Sequence, residues 1–311
     1  MKVIRPVDTM ADGVLISSTL VEPAAGETAW VSGGSYTAGQ FRYLAETHRI
    51  YRCLLDHSGI STSPDDDLVP VAPNTVARWE DYAPTNKWAM FDQEINTQSV
   101  AASSPLTVEL APGMINSLAL FELAGAQVDI VMTSSAGGPT VYERSIDLDI
   151  SRVTDAYEYC FEPFSTRRNV VLTDLPPYTN CRLTVTISGT GAVKCGQLVV
   201  GTLCNVGGTQ KGIGSRTRDF STRKENKETG VISIKPGKKR RTITARLEVL
   251  KGAENATLQL IDDLLGKPCV VLGDDNGLLD PLTTIGFFSD LAMEFPTATA
   301  RTYSVTIEGL T

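Results

Sequence analysis

Between residues 106 and 203, apolar and polar residues alternate in short runs. The runs are "LTVELA" (106–111), "SLALFEL" (117–123), "QVDIVMT" (127–133), "VYERSIDL" (141–148), "NVVLTDL" (169–175), "CRLTVTIS" (181–188) and "CGQLVVGTL" (195–203). A two-residue period turns one face of each run toward a core and the other toward water, as in half-buried antiparallel strands. Ala136-Gly137-Gly138-Pro139, Pro176-Pro177 and Ser188-Gly189-Thr190-Gly191 supply turns between them. Strands at this spacing predict a jelly-roll-like β-sandwich over residues 84–204. "KWAMFD" (87–92) is expected as its first strand, with Trp88 plugging the junction to the segment before it.

Elsewhere the rhythm changes. Residues 1–23 hold "MKVIRPV" and "GVLISSTLV", β-branched runs that predict an extended N-terminal arm. Residues 24–83 form a small aromatic-cored β module, with a surface loop expected at Ser58–Pro73, rich in Ser, Pro and Asp. Residues 205–230 are rich in Gly, Thr and charge, which reads as a linker or long loop. Beyond it, "GVISIKPG" (230–237), "RTITARLEVL" (241–250), "CVVLG" (269–273) and "TYSVTIEGL" (302–310) are strand-like. One helix is predicted between them, with Ala256, Leu260, Ile261 and Leu264 as its apolar stripe and Gly266 and Pro268 as its stop. Residues 205–311 are thus expected as a basic linker and a C-terminal α+β assembly domain. The fold class predicted for the whole chain is mainly β and multidomain.

At 311 residues, two or three domains are expected. No stretch reaches the ~18 apolar residues of a membrane span, so no membrane insertion is expected. The first residues carry no apolar run of a secretory signal, which implies assembly in the cytoplasm. The six cysteines lack C-x-x-C spacing and there are only two histidines, so free buried thiols and no metal site are expected. Net charge is −8, but Arg216–Arg241 holds ten Lys/Arg against three acids, a segment of +7 that leaves −15 elsewhere. Such a dipolar chain can stack on copies of itself or seat a basic arm on an acidic neighbour. Arg223, Lys224, Lys235, Lys238, Lys239, Arg240 and Arg241 are therefore candidate assembly contacts. The run lacks interleaved aromatics for base stacking, so no nucleic-acid partner is expected.

All three tryptophans lie in the first 88 residues. Trp30, Tyr36, Tyr51 and Trp79 are candidate sugar-stacking rings; the alternative is that they form the core of a domain too small to build one from aliphatics. No G-x-S-x-G, P-loop or H-E-x-x-H motif is present, so no catalytic residue, cofactor or enzymatic activity is expected.

The order Ala29-Trp30, Tyr36, Gly39, Tyr51, Trp79 resembles the small chitin- and cellulose-associated binding modules of bacterial hydrolases. The long insertion before Trp79 departs from that pattern. Most of the chain resembles minor tail-tip or baseplate proteins of long-tailed bacteriophages. The likeness is carried by "ETHRIYRCL" from Glu46, "PTNKWAMFD" (84–92), Gly-Phe-Phe-x-Asp at 286–290 and "SVTIEGL" (304–310). It implies a virion tail component that docks to other tail or baseplate proteins, as a ring of copies, and presents its β-rich domains outward. The alternative functions are a carbohydrate-binding adsorption protein that contacts host surface glycan and, third, a polysaccharide hydrolase.

Overall fold

A computed structural model describes residues 1–70, 76–92, 97–151, 155–161, 165–210, 212–225, 232–235, 237, 239–249, 252, 254–273, 282–294 and 301–309. In the central region Leu106, Val108, Leu110, Val128, Ile130, Met132, Leu183, Val185 and Ile187 are buried, and the residues between them are not. Their strands build a five-stranded antiparallel sheet in the order Thr140–Asp147, Gln127–Thr133, Arg182–Ser188, Leu106–Leu110, Leu15–Ser18. Leu118, Leu120, Val170, Leu172, Leu198 and Val200 close the same core from the other side, which makes a β-sandwich.

Those six residues belong to one end of a ten-stranded sheet. It runs from Val170–Leu172 through Ser117–Phe121, Gln197–Asn205, Lys2–Pro6, Cys269–Leu272, Thr283–Glu294 and Arg301–Gly309 to Lys239–Val249, which also pairs with Gly208–Thr209 and Gly214–Asp219. The far end buries Val3, Val271, Phe288, Tyr303, Val305, Ile307, Ile243 and Leu247 beneath a helix, Glu254–Leu264. Register puts both cores on one face. Val3 lies opposite Cys204, and Cys204 is four residues from Val200, so the three point the same way. Ile4, Ala119, Phe121, Val270, Leu272 and Ile285 pack together on the opposite face. The chain is mainly β, with one substantial helix in its C-terminal part.

The expected N-terminal arm is instead built into the two sheets. Lys2–Pro6 is an internal strand, paired at five positions with Gln197–Asn205 and at three with Cys269–Leu272. Leu15–Ser18 is the edge strand of the sandwich sheet. Both segments are thus held in the chain's own sheets. The crossing is close. A Cβ on Gly201 would sit 2.0 Å from the Arg5 carbonyl oxygen, so only glycine fits there.

Two other expectations change. "KWAMFD" is a compact turn rather than a strand. The Trp88 and Ala89 amides both donate to the Thr85 carbonyl at 3.0 Å, and Phe91 donates to Trp88 at 2.9 Å. A turn buries Trp88, Ala89, Met90 and Phe91 together, whereas a strand would expose every second residue. Residues 205–230, read as a linker, carry strands Gly208–Thr209, Gly214–Asp219 and Thr222–Glu225 among those described.

The helix ends where expected, at Gly266 with φ +72°. Its stripe is rotated, however: Thr257, Ile261 and Leu264 are buried while Ala256 is exposed. All six cysteines are free thiols; Cys53, Cys181, Cys195 and Cys269 are buried and Cys160 is exposed. Burial pushes Cys195 and Cys269 up to about 12, which keeps them protonated and inert at neutral pH. No helix among the described residues is long and apolar enough to cross a membrane.

Candidate functional site

The small module is a three-stranded sheet, Phe41–Leu44, Arg49–Cys53 and Trp79–Pro84, beside a two-stranded one, Ser35–Tyr36 and His57–Ser58. Tyr36, Tyr51 and Trp79 are buried in its core with Leu44 and Cys53, and Trp30 packs against them partly buried. Trp79 meets Tyr36 edge-on, ring centroids 5.1 Å apart. The Tyr36 hydroxyl donates to the Val31 carbonyl at 2.8 Å, and the Tyr51 hydroxyl donates to Thr47 Oγ1 at 3.1 Å. The two tyrosine hydroxyls are thus bonded inside the protein, while the buried Trp79 Nε1 has no hydrogen-bond partner. Buried to this degree, Tyr36, Tyr51 and Trp79 offer no open face for a sugar ring, and Trp30 keeps part of its surface exposed. A module of this size has few aliphatics to bury, and its rings take their place.

The expected Ser/Pro/Asp loop is anchored rather than free. Asp67 is buried and accepts a hydrogen bond from Arg78 Nε at 2.5 Å, next to Trp79.

The exposed rings of the module are different ones. Phe41 and Tyr82 are 43% and 57% exposed, with centroids 4.7 Å apart. Phe41, Arg52 and Glu80 stand in register on the outer face, and Tyr82 falls at a bulge. Counting by twos from buried Trp79 puts Tyr82 outward, so alternation carried this signal.

The joint between the module and the sandwich is centred on the Glu22 carboxylate. Glu22 accepts from Thr85 Oγ1 at 2.8 Å, Trp88 Nε1 at 2.9 Å and His48 Nδ1 at 3.0 Å. The His48 ring stacks on Trp88, centroids 4.1 Å apart. Asn86 adds a two-way amide clamp on Val100, and Glu27 accepts from the Asn86 amide. The stretches beginning at Glu46 and Pro84 thus meet at this joint, where the Trp88 ring is buried. Glu22→Ala leaves a buried indole N–H and a hydroxyl without an acceptor, at roughly 1–3 kcal/mol for each group. Urea unfolding is expected to show a loss of about 2–5 kcal/mol, with Glu22→Gln, which keeps an acceptor, losing less.

A cleft of about 740 Å³ opens where the module, the sandwich and the C-terminal part converge, with Asp8, Arg49, Asp92 and Lys267 around apolar Leu198 and Ile285. Asp8 already accepts from the Met10 amide at 3.0 Å and Asp92 from Thr97 Oγ1 at 3.0 Å. Arg49 Nε donates to Asp81 at 2.7 Å. Hydrolysis of a glycoside needs two carboxylates aimed at one bond, and these two are engaged locally. Among the described residues no cluster of His, Cys, Asp and Glu can hold a metal ion.

The basic segment forms a two-stranded ribbon. Gly214–Asp219 pairs with the first half of Lys239–Val249, and Thr222–Glu225 pairs with Ile232–Lys235. Only Thr242–Val249 of the long strand reaches the rest of the sheet. Seven residue pairs therefore lie beyond it, three in the first half and four in the second, roughly 23 Å of paired strand at 3.3 Å per residue. A step at Phe220-Ser221 links the two halves, where Ser221 Oγ accepts from the Gly237 amide at 2.9 Å. A Cβ on Gly237 would lie 2.3 Å from the Phe220 backbone, so the step requires glycine.

Every residue of Thr222–Glu225 and Ile232–Lys235 is exposed, including Ile232 and Ile234 at 61% and 59%. Arg218 and Arg240 lie over the exposed Phe220 ring at 5.1 and 5.7 Å. Arg223, Lys224 and Lys235 thus share the projecting tip, while Arg240 pairs with Glu308 at 2.7 Å near the root. Arg241 and Lys239 lie on the root strand, opposite Thr217 and Asp219, and Lys238 lies outside the described residues. The exposed Phe220 lies in the segment read as a linker or loop, whereas Ile232 and Ile234 lie in a run read as a strand whose partner, Thr222–Glu225, was not expected. Comparison of the chain with protein-family models and with curated proteins finds no match.

Proposed function

We propose that the chain is a non-enzymatic assembly subunit of a long-tailed bacteriophage, in the tail tip or baseplate, that docks onto neighbouring tail proteins through its basic ribbon. The ribbon is the single observation that carries the docking. An isolated two-stranded ribbon is marginally stable in water, and exposed strand edges invite pairing with another chain. A ribbon that also exposes two isoleucines and three unopposed cations is suited to being covered. Placement in a virion rests on the resemblance of residues 46–53 and 84–92, and the ring of copies on the usual closed symmetry of such assemblies. The corrected N-terminus leaves the ribbon and the C-terminal part, rather than an arm, to make the contacts.

Mass spectrometry of purified virions is the direct test. The chain is expected as a stoichiometric component that stays with detached tails; its absence from tails ends this reading.

A second reading, contact with a host surface glycan, keeps one favourable observation. The Phe41–Tyr82 pair, flanked by Arg52 and Glu80, offers an aromatic surface with polar neighbours.

A further inference from the structure

The docking reading does not say what the ribbon meets. We propose that the acceptor is the outer face of the five-stranded sheet of a second copy of this chain. The inference rests on the docking reading and names its partner.

Register sorts the ribbon tip into two faces. Thr222, Lys224, Ser233 and Lys235 share one, and Arg223, Glu225, Ile232 and Ile234 share the other. The first face is purely basic and hydroxylic. Among the described residues Arg223, Lys224 and Lys235 form no ion pair.

The sandwich offers the complement. Because Val108, Ile130 and Val185 point into the core, their neighbours point out. Pairing then lines up Ser17, Glu109, Thr184, Val131 and Glu143 in one row across the strands. Thr107, Thr186, Asp129 and Ser145 form the next, and Ser188, Gln127 and Asp147 a third. This face is a field of hydroxyls with four carboxylates, Glu109, Asp129, Glu143 and Asp147. Arg182 is the one cation on these outward rows, beside Thr133 in a further row at the sheet's end. No lysine or arginine among the described residues pairs with any of the four acids.

The protein therefore carries two unneutralised surfaces of opposite sign, one on a projection and one on a flat sheet. They account in structural terms for the +7 segment within a chain of net charge −8. The ribbon roots at one end of the ten-stranded sheet, and the acidic face belongs to the sandwich built over the other end. Ribbon-to-face contact between copies is consequently heterologous, head to tail, and closes into a ring or continues as a fibre.

Sedimentation velocity of the full chain tests this with exposed substitutions that leave both cores intact. The wild type is expected to associate with rising concentration at about 50 mM salt and to dissociate near 1 M, where the screening length falls to about 3 Å. Lys224→Glu with Lys235→Glu, and separately Glu143→Lys with Asp147→Lys, are each expected to weaken association at least roughly tenfold. An equimolar mixture of the two variants is expected to associate again, which a misfolded variant does not do. Loss of association in the ribbon variant but not in the sheet variant overturns the named acceptor while the docking reading stands. A wild type that stays monomeric at every concentration and salt overturns the second copy as partner, and the docking reading then depends on the virion test alone. If neither variant changes an association that does occur, both the acceptor and the ribbon's role fall.

Discussion

Ile4→Asp is expected to unfold the sandwich and the C-terminal part together. Ile4 is fully buried in the cluster that joins Ala119 and Phe121 of one to Val270 and Ile285 of the other. Truncating such a side chain costs about 2–5 kcal/mol, and burying an unpaired carboxylate adds several more. Domains have only about 5–15 kcal/mol to lose. The expected outcome is loss of the cooperative urea transition or failure to recover folded protein. Ile4→Val, at about 0.5–1.5 kcal/mol, is the graded companion. Its reach can be read by hydrogen exchange. Amides of Gln197–Asn205 and of Cys269–Leu272 are expected to lose protection in parallel, because one strand pairs with both. If only one group weakened, the strand would not be the shared element described above.

The second large effect separates a ring that builds the module from one that can meet a ligand. Trp79→Ala removes the most buried ring of a core that holds few other side chains, at about 3–5 kcal/mol. Near-ultraviolet circular dichroism from the module is expected to collapse. Tyr82→Ala and Phe41→Ala alter exposed positions and are expected to stay within about 0.5 kcal/mol of wild type. Calorimetric titration with host surface polysaccharide then has a clean comparison. Binding present in the wild type and lost in folded Tyr82→Ala supports the glycan reading, and no heat from the wild type removes it.

Much of the fold was legible because antiparallel strands with one wet face write their burial into the sequence. Leu183, Val185 and Ile187 alternate with Thr184 and Thr186, and the three apolar residues are the ones buried. Lys2–Pro6 was legible as extended but not as central, since its partners lie some 200 and 270 residues away and nothing local names them. The ribbon was half legible: "GVISIKPG" reads as a strand, but its partner Thr222–Glu225 lies in a Gly-, Thr- and charge-rich stretch that looks like a loop. "KWAMFD" misled because four consecutive apolar residues fit a strand as well as a buried turn; the hydrogen bonds at Thr85 decide between them. The four rings were legible as a cluster, but a core and a platform use the same residue types. The unpaired carboxylates of the sandwich face were invisible as a group, because Glu109, Asp129, Glu143 and Asp147 come from three strands that only pairing brings side by side.

Lys239–Val249 is at once the root of the ribbon and a member of the ten-stranded sheet, and this has a mechanical meaning. A pull along the ribbon runs along that strand, at right angles to the hydrogen bonds that tie it to Arg301–Gly309. Eight paired positions then resist at once, in shear, rather than opening one after another as a zipper does. Beyond that pair the load spreads through Thr283–Glu294 and Cys269–Leu272 into the N-terminal strand and the sandwich. The ribbon is thus anchored like a tendon, its load shared across the width of the sheet.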